Sequence, residues 1–96
     1  MKLSNIFSQE YVLVETAYGM DSIDTTSDND CYEISKVRTV TLKELADDDN
    51  TSYVAEKIRE LGAEGEELGN VVIYEGVVIT TSGSEDCTVY VPEFWQ

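Results

Sequence analysis

Histidine is absent from this chain of 96 residues, proline occurs once, cysteine twice, and lysine and arginine together only six times. Without histidine, the chain lacks the usual catalytic base of neutral pH and a frequent metal ligand. No apolar run approaches the roughly 20 residues that a membrane-spanning helix needs. The six cations face 20 aspartates and glutamates, so the formal net charge is −14. Phosphates repel such a chain, which excludes direct binding of nucleic acid.

The rest of the composition is typical of a folded protein. High net charge favours disorder, but 42% of the residues are hydrophobic and nine are aromatic. Runs such as VVIYEGVVITT are too apolar and β-branched to remain in solvent. The length predicts a single domain over residues 1–96. Because screening weakens repulsion between like charges, we expect added salt to raise the stability of this domain.

The first part of the chain alternates as β-strands do. Residues 9–18 are largely apolar on both faces, which predicts a central strand. Residues 19–30 contain four aspartates and no cation, and they are predicted to form a polar loop. The strand pattern returns over residues 31–40. A break in this pattern near Lys36 and Val37 predicts a β-bulge.

The middle of the chain predicts a first short helix. Thr41 is followed three residues later by Glu44, which is the pattern of a capping box at a helix start. The helix is expected over about residues 42–47. Three adjacent aspartates, Asp47 to Asp49, oppose the negative end of a helix dipole and predict its end there.

A second helix is predicted directly after the aspartates, with Thr51 or Ser52 as its N-cap. The spacing i, i+4, i+7 predicts one buried stripe, made of Val54, Ile58 and Leu61. Gly62 is the expected stop. The acidic segment 63–69 is interpreted as a loop.

The last third of the chain predicts three short strands. Glu75 and Gly76 stand between two apolar runs, a two-residue spacing that predicts a tight hairpin. Residues 82–86 predict a second turn, and the strand over residues 87–91 is expected to end at Pro92. The fold class is therefore α+β, with a mostly antiparallel sheet of four to five strands and one or two helices on one face. The predicted order is β-β-α-α-β-β-β.

The two cysteines, Cys31 and Cys87, are predicted to be free thiols in or beside strands. MKLSNIFSQE has no long apolar stretch, so we expect no secretory signal and a reducing, cytoplasmic location. The alternative is one disulfide that joins neighbouring strands.

No motif of catalysis is found, since serine and threonine have no histidine as their base and no G-x-S-x-G or P-loop pattern occurs. We therefore predict a protein that is not an enzyme and needs no cofactor. Asp24, Asp28, Asp30 and Glu33 resemble an oxygen-rich patch that could attract Ca²⁺ or Mg²⁺. The glycine that an EF-hand loop requires is missing, so a solvated loop and no metal site are predicted.

The distribution of charge is the strongest functional signal. Residues 20–33 contain five acids and no cation, and residues 41–69 contain nine acids against three cations. These two segments therefore supply −5 and −6 of the total of −14. A net charge of magnitude about 2–8 suffices to keep a small domain soluble. The excess opposes folding through self-repulsion, and it indicates that the acids meet a cationic surface on another protein.

The candidate partner-binding residues are the acids of these two segments and one terminal aromatic anchor. They are Asp21, Asp24, Asp28, Asp30, Glu33, Asp47, Asp48, Asp49, Glu56, Glu60, Glu64, Glu66, Glu67 and Trp95. The expected partner is the basic surface of a nucleic-acid-binding complex or a nuclease. No contact with nucleic acid or a membrane is expected, and the oligomeric state stays open.

In its bare single domain, its loop DSIDTTSDND and its acidic stretch KELADDDNTSYVAEKIRELGAEGEE, the chain resembles the small acidic inhibitors of bacteriophages, which include anti-CRISPR proteins and other DNA mimics. This resemblance implies an inhibitor in the host cytoplasm that occupies the cationic nucleic-acid channel of a defence complex. The alternative is an immunity protein or antitoxin that covers the basic active site of a cognate nuclease. A calcium-binding or purely structural module is a third class.

Overall fold

The structure, a computed structural model, describes residues 2–27, 31–62 and 67–95. Within these ranges the chain forms a short 3-10 helix, Leu3–Asn5, followed by five strands and two helices. In chain order they are β1 (Tyr11–Thr16), β2 (Gly19–Asp24), β3 (Cys31–Thr41), α1 (Leu42–Asp47), α2 (Ser52–Glu60), β4 (Asn70–Thr80) and β5 (Gly83–Pro92). No helix of the described part is long and apolar enough to cross a membrane.

The five strands form one antiparallel sheet in the order β2-β1-β5-β4-β3. The predicted α+β class is therefore confirmed. Strand β1 lies between β2 and β5, as expected for a strand that is apolar on both faces. The predicted element order is wrong in detail, because three strands precede the helices and two follow them.

Each face of the sheet carries its own apolar core. On one face α1 and α2 cover the sheet with Leu42, Leu45, Val54, Ala55 and Ile58, which pack against Leu13, Val40, Val71, Ile73 and Tyr90. On the other face the N-terminal segment lays Leu3 and Phe7 over the sheet. There the rings of Phe7 and Tyr74 meet edge to face, with centroids 4.8 Å apart. The prediction that the helices share one face is confirmed.

The loop predicted at residues 19–30 is wrong over its first half, because Gly19–Asp24 is strand β2. Only Met20 and Ile23 among these six residues are apolar, so the alternation of a strand is weak. β2 is an edge strand that pairs with β1 along its whole length. Backbone hydrogen bonds from a neighbour, rather than apolar burial, make this segment a strand.

The tight hairpin predicted at Glu75 and Gly76 is also wrong. Strand β4 runs through both residues, and the chain reverses at Thr81 and Ser82 instead. Gly76 has a different purpose: a Cβ there would collide with the side chain of Ile34 and come within 3.0 Å of a backbone oxygen on β3. The glycine therefore permits a close approach of two strands and is not a turn residue.

The predicted bounds of helix α1 are confirmed, and the Thr41 hydroxyl accepts a hydrogen bond from the Glu44 amide at 3.1 Å. Thr51 is the N-cap residue of α2, but its hydroxyl does not cap the helix. It donates to the Leu45 carbonyl oxygen at 2.8 Å and so ties the two helices together. Leu61 is 44% exposed, which corrects the predicted stripe, since Ala55 takes its place in the core.

Strand β3 contains the predicted bulge. Its register with β4 shifts between Lys36 and Arg38, and a second shift lies between Tyr32 and Ser35. Cys31 and Cys87 lie in strands and form no disulfide, as predicted, and both are buried. Burial, with Cys31 as a close neighbour, raises the pKa of the Cys87 thiol to about 11, so this thiol stays protonated at neutral pH.

Candidate functional site

The carboxylates singled out from the sequence occupy three separate parts of the molecule. Asp21 and Asp24 lie on β2 and Glu33 on β3, which are opposite edges of the sheet with three strands between them. The third part is the helix layer, with Asp47, Asp48, Asp49, Glu56 and Glu60. Four others, Asp28, Asp30, Glu64 and Glu66, lie outside the described residues. Among the described residues, the structure therefore groups the helix-layer acids and separates them from Asp21, Asp24 and Glu33.

A turn of defined shape displays the three aspartates between the helices. Asp48 follows the end of α1, and its Oδ1 accepts a hydrogen bond from the Asn50 amide at 2.9 Å. The bond from Thr51 to the α1 carbonyl closes the same turn. All three aspartate side chains are exposed. Their charges therefore meet solvent or a partner from a fixed backbone.

Helix α2 carries a second pair of acids on its solvent face. Glu56 and Glu60 are exposed and one helical turn apart, so they repel each other by a few tenths of a kcal/mol. Tyr53 precedes them by three and seven residues and therefore lies on the same side of the helix. This stripe continues from Tyr53 to the end of α2.

Only two ion pairs form among the described residues. Lys43 Nζ lies 3.4 Å from Asp47 Oδ2, and both side chains are largely exposed. Arg59 donates to both carboxylate oxygens of Glu67, at 2.8 and 2.9 Å. This bidentate bond lowers the pKa of the Glu67 carboxyl and raises that of Arg59. Glu67 is thus paired with Arg59 and lies beside the end of α2.

The terminal aromatic anchor lies against the helix-side core. Phe94 and Trp95 are half-buried and pack against this core. The indole Nε1 of Trp95 is enclosed and has no hydrogen-bond partner among the described residues. Trp95 also lines a groove together with Tyr11 and Leu61. Trp95 therefore packs against the core and is also partly accessible to solvent.

A cleft that the sequence analysis missed lies on the helix side of the sheet, beyond the end of the helices. Its volume is about 400 Å³, and its lining includes Glu15, Glu75 and Asp86. Glu15 and Glu75 both pair with Thr88 of β5, so the two carboxylates flank this threonine in one row across the sheet. Asp86 lies in the next row, opposite Val77. Three carboxylates thus share one concave surface.

Glu15 is held in place by two tyrosines. Tyr53 of α2 donates to Glu15 Oε2 at 2.7 Å, and the buried Tyr90 donates to Glu15 Oε1 at 3.3 Å. The hydrogen bond to Glu15 raises the pKa of Tyr53, and burial raises that of Tyr90. Both phenols therefore remain donors at neutral pH, and their two hydrogen bonds hold the Glu15 side chain in place.

A signal for this cleft is present in the sequence. Glu15 has the same strand parity as the buried Leu13, and Glu75 has that of the buried Ile73. In a strand whose alternate side chains are buried under the helices, a carboxylate at the next position of the same parity indicates that the helices no longer cover the sheet there. The net charge of a whole segment does not distinguish these two acids from acids that face solvent.

The cleft and the helix stripe form one surface, which we name the acidic track: Glu15, Glu75, Asp86, Glu56 and Glu60. Tyr53 connects its two parts, because it bonds Glu15 and starts the stripe on α2. Asp47 to Asp49 precede α2 in the chain, on the side of the helix start where Tyr53 lies. Within the described ranges, no three potential ligands converge closely enough to hold a metal ion. The track offers hydrogen-bond acceptors and negative charge to a bound cationic group.

The chain matches no family model, no curated protein and no solved structure. What the surface can bind is therefore inferred from its own side chains.

Proposed function

We propose that this protein is a non-enzymatic inhibitor that binds the positively charged nucleic-acid-binding surface of a target protein and excludes its nucleic acid. The observation that supports this function is the acidic track. It joins the carboxylates of a cleft, of which Glu15 is held by two hydrogen bonds, to exposed carboxylates on a helix. None of its five members takes part in an ion pair within the described residues. The phage inhibitors that the sequence resembles would act in the same way.

The spacing of the track suits a surface built for phosphates. Glu56 and Glu60 are about 6 Å apart along the helix axis, at 1.5 Å per residue. Successive charges of one DNA strand are separated by about 3.4 Å along the duplex axis and somewhat more along the winding backbone. A row of lysines and arginines that holds phosphates can therefore pair with carboxylates at this spacing. The Glu56–Glu60 repulsion in the free protein is relieved when such a partner binds.

The test is direct competition. A fluorescent DNA or RNA ligand is bound to purified targets, namely guide-RNA-loaded CRISPR effector complexes and bacterial nucleases, and the protein is titrated in while anisotropy is recorded. We expect release of the ligand from at least one target, with an apparent affinity that falls steeply between about 50 and about 200 mM salt. Failure to displace the ligand from any target that binds the protein would refute nucleic-acid mimicry.

Two double variants separate the track from net charge. The first reverses the track residues with Glu56→Lys and Glu60→Lys. The matched control carries Glu10→Lys and Glu93→Lys, at exposed positions that belong neither to the track nor to the candidate partner-binding residues. Each reversal adds two charges, so both variants change from −14 to −10. We expect the first to weaken inhibition at least about tenfold and the control to have a small effect. Equal losses would show that net charge alone, and not the track, binds the target.

A further inference from the structure

The helices cover only half of the sheet face on which they pack. On β4, Val71 and Ile73 are buried under the helix layer, and the same row of side chains continues beyond it with Glu75, Val77 and Ile79. Ile79 is 47% exposed, although it follows a buried row of the same strand. The sheet thus extends past its cover by about four residues, or roughly 14 Å at 3.4 Å per residue.

The uncovered half is apolar in its middle. Tyr32 of β3 pairs with Val77 and is 39% exposed, and Asp86 of β5 pairs with Val77 from the other side. We name this surface the shelf and define it as Tyr32, Glu75, Val77, Ile79 and Asp86. Val77 adjoins Tyr32 across the sheet and Ile79 along β4, and the carboxylates of Glu75 and Asp86 border this apolar group at Val77. Large apolar side chains grouped in this way on a soluble protein mark an interaction surface.

The charge of the shelf is one-sided. Glu75 and Asp86 belong to it, and Glu15 lies one strand away in the adjoining cleft. Lys36 of β3 pairs with Tyr74 and so points to the opposite face of the sheet. Arg38 lies toward the helices, opposite Ile73, and forms no ion pair within the described residues. A ligand of the shelf must therefore combine an apolar stripe with positive charge.

The dimensions favour an α-helix as the ligand. Strands β5, β4 and β3 span about 10 Å at roughly 4.8 Å between neighbours, and an α-helix with its side chains is about 10–12 Å across. The same sheet face already packs two helices beside this place. One more helix next to them would complete the layer. We propose that the shelf docks a basic amphipathic α-helix of the target protein, with its apolar stripe on Tyr32, Val77 and Ile79.

In the docked state, lysine or arginine side chains that flank the stripe reach Glu75, Asp86 and Glu15. This proposal rests on the proposed function, since it names the segment of the same basic target that anchors the complex. Burial of the apolar stripe supplies most of the affinity, because an exposed ion pair contributes little on its own.

The probe is a synthetic leucine–lysine peptide of about 18 residues, or roughly five helical turns, with its leucines on one helical face. A second peptide has the same composition with the amphipathic order scrambled. Binding is followed by amide and methyl NMR shifts of the protein. We expect shifts centred on Tyr32, Val77 and Ile79 with the amphipathic peptide, and binding at least about tenfold weaker with the scrambled one.

Ile79→Asp provides the matching variant, and Leu68→Asp is its control, since Leu68 is 80% exposed and lies outside the shelf. We expect Ile79→Asp to weaken the amphipathic peptide at least about tenfold and Leu68→Asp to leave it within about twofold. Equal binding of the two peptides, shifts centred elsewhere or equal effects of the two variants would overturn the proposal. So would a dimer of the free protein that Ile79→Asp dissociates, because a second copy would then cover the shelf.

These outcomes are independent of the competition experiment. If the peptide binds the shelf but no nucleic acid is displaced from any target, mimicry fails and the docking surface stands. If nucleic acid is displaced and Ile79→Asp competes as well as the unchanged protein, the shelf is not the anchor and mimicry stands.

Discussion

Two halves of one sheet face differ in what covers them. The half under α1 and α2 presents Leu13, Ile73 and Tyr90, all buried in a shared core. The other half continues the same strands with Glu15, Glu75 and Ile79, which are partly or fully open to solvent. The comparison teaches that a row of side chains along one strand can change from core to surface within two residues, when the layer above it ends.

The boundary between the halves is built by hydrogen bonds. At that line Glu15 accepts from Tyr53 of the helix layer and from Tyr90 of the core. A carboxylate bound in this way can face a cleft without burying an uncompensated charge. The boundary therefore belongs to both halves, since it closes the core and starts the acidic track.

The largest expected effect is the contrast between two isoleucines. Ile58→Ala, on the helix that covers the first half, removes a fully buried side chain and should lower the free energy of unfolding by about 2–5 kcal/mol. Ile79→Ala in the uncovered half should change it by no more than about 0.5 kcal/mol. Urea denaturation of both variants, with unchanged m-values, gives the comparison. A loss of similar size for both would mean that the shelf is covered in solution.

The boundary itself is probed at Glu15. Glu15→Ala removes the carboxylate that accepts hydrogen bonds from both Tyr53 and the buried Tyr90, and it should cost about 1–3 kcal/mol of stability. Glu15→Gln keeps an acceptor oxygen and should cost less.

The same variant has a spectroscopic readout. Because the bond to Glu15 is the main cause of the raised pKa of Tyr53, Glu15→Ala should lower that pKa toward its ordinary value of 10.0. A raised folded-state pKa adds stability below the unfolded value, and this stability is lost as pH rises through the folded pKa. Alkaline titration of tyrosinate absorbance checks both points, and an unchanged profile would contradict the assigned bond.

A smaller effect is expected at the entrance of the helix layer. Thr41→Ala removes the acceptor for the Glu44 amide and should cost about 1 kcal/mol, while Thr41→Ser should restore most of it. Urea denaturation provides the measurement. If loss of the Thr41 cap also loosens the helices over the covered half of the sheet, hydrogen exchange will be faster for the amides of α1 than for those of β1. Equal stability of the alanine variant and the unchanged protein would show that the cap does not contribute.

The smallest effect belongs to the ion pair of Arg59 with Glu67. Arg59 lowers the pKa of Glu67, so the pair adds stability above the unfolded value of about 4.5 and loses it as pH falls through the folded pKa. Glu67→Gln should therefore be slightly less stable than the unchanged protein near pH 7 and equal to it near pH 3. Denaturation curves at the two pH values, with Glu44→Gln as the control, measure this. A difference that persists in acid would assign the effect to packing.

Local sequence signals predicted what local chemistry controls. The capping pattern of Thr41 and Glu44 predicted α1 within its observed bounds, and the broken alternation near Lys36 predicted the bulge of β3. Strand β2 and the path of β4 through Gly76 were missed, because each depends on a neighbour that is distant in the chain. Of the candidate site, the exposed acids of the helix layer were predicted, and the cleft acids were not.

The sequence alone determines the class of this protein: an acidic α+β fold with apolar strands and two short helices, because composition, periodicity and caps act between near neighbours. Only the tertiary structure decides which carboxylates share a surface. Register across β1, β5 and β4 places Glu15 and Glu75 beside Thr88, and the length of the helix layer leaves the end of β4 open. Both depend on pairing and packing between residues far apart in the chain. Strand parity in the sequence shows to which side Glu15 and Glu75 point, but it does not show that they lie together.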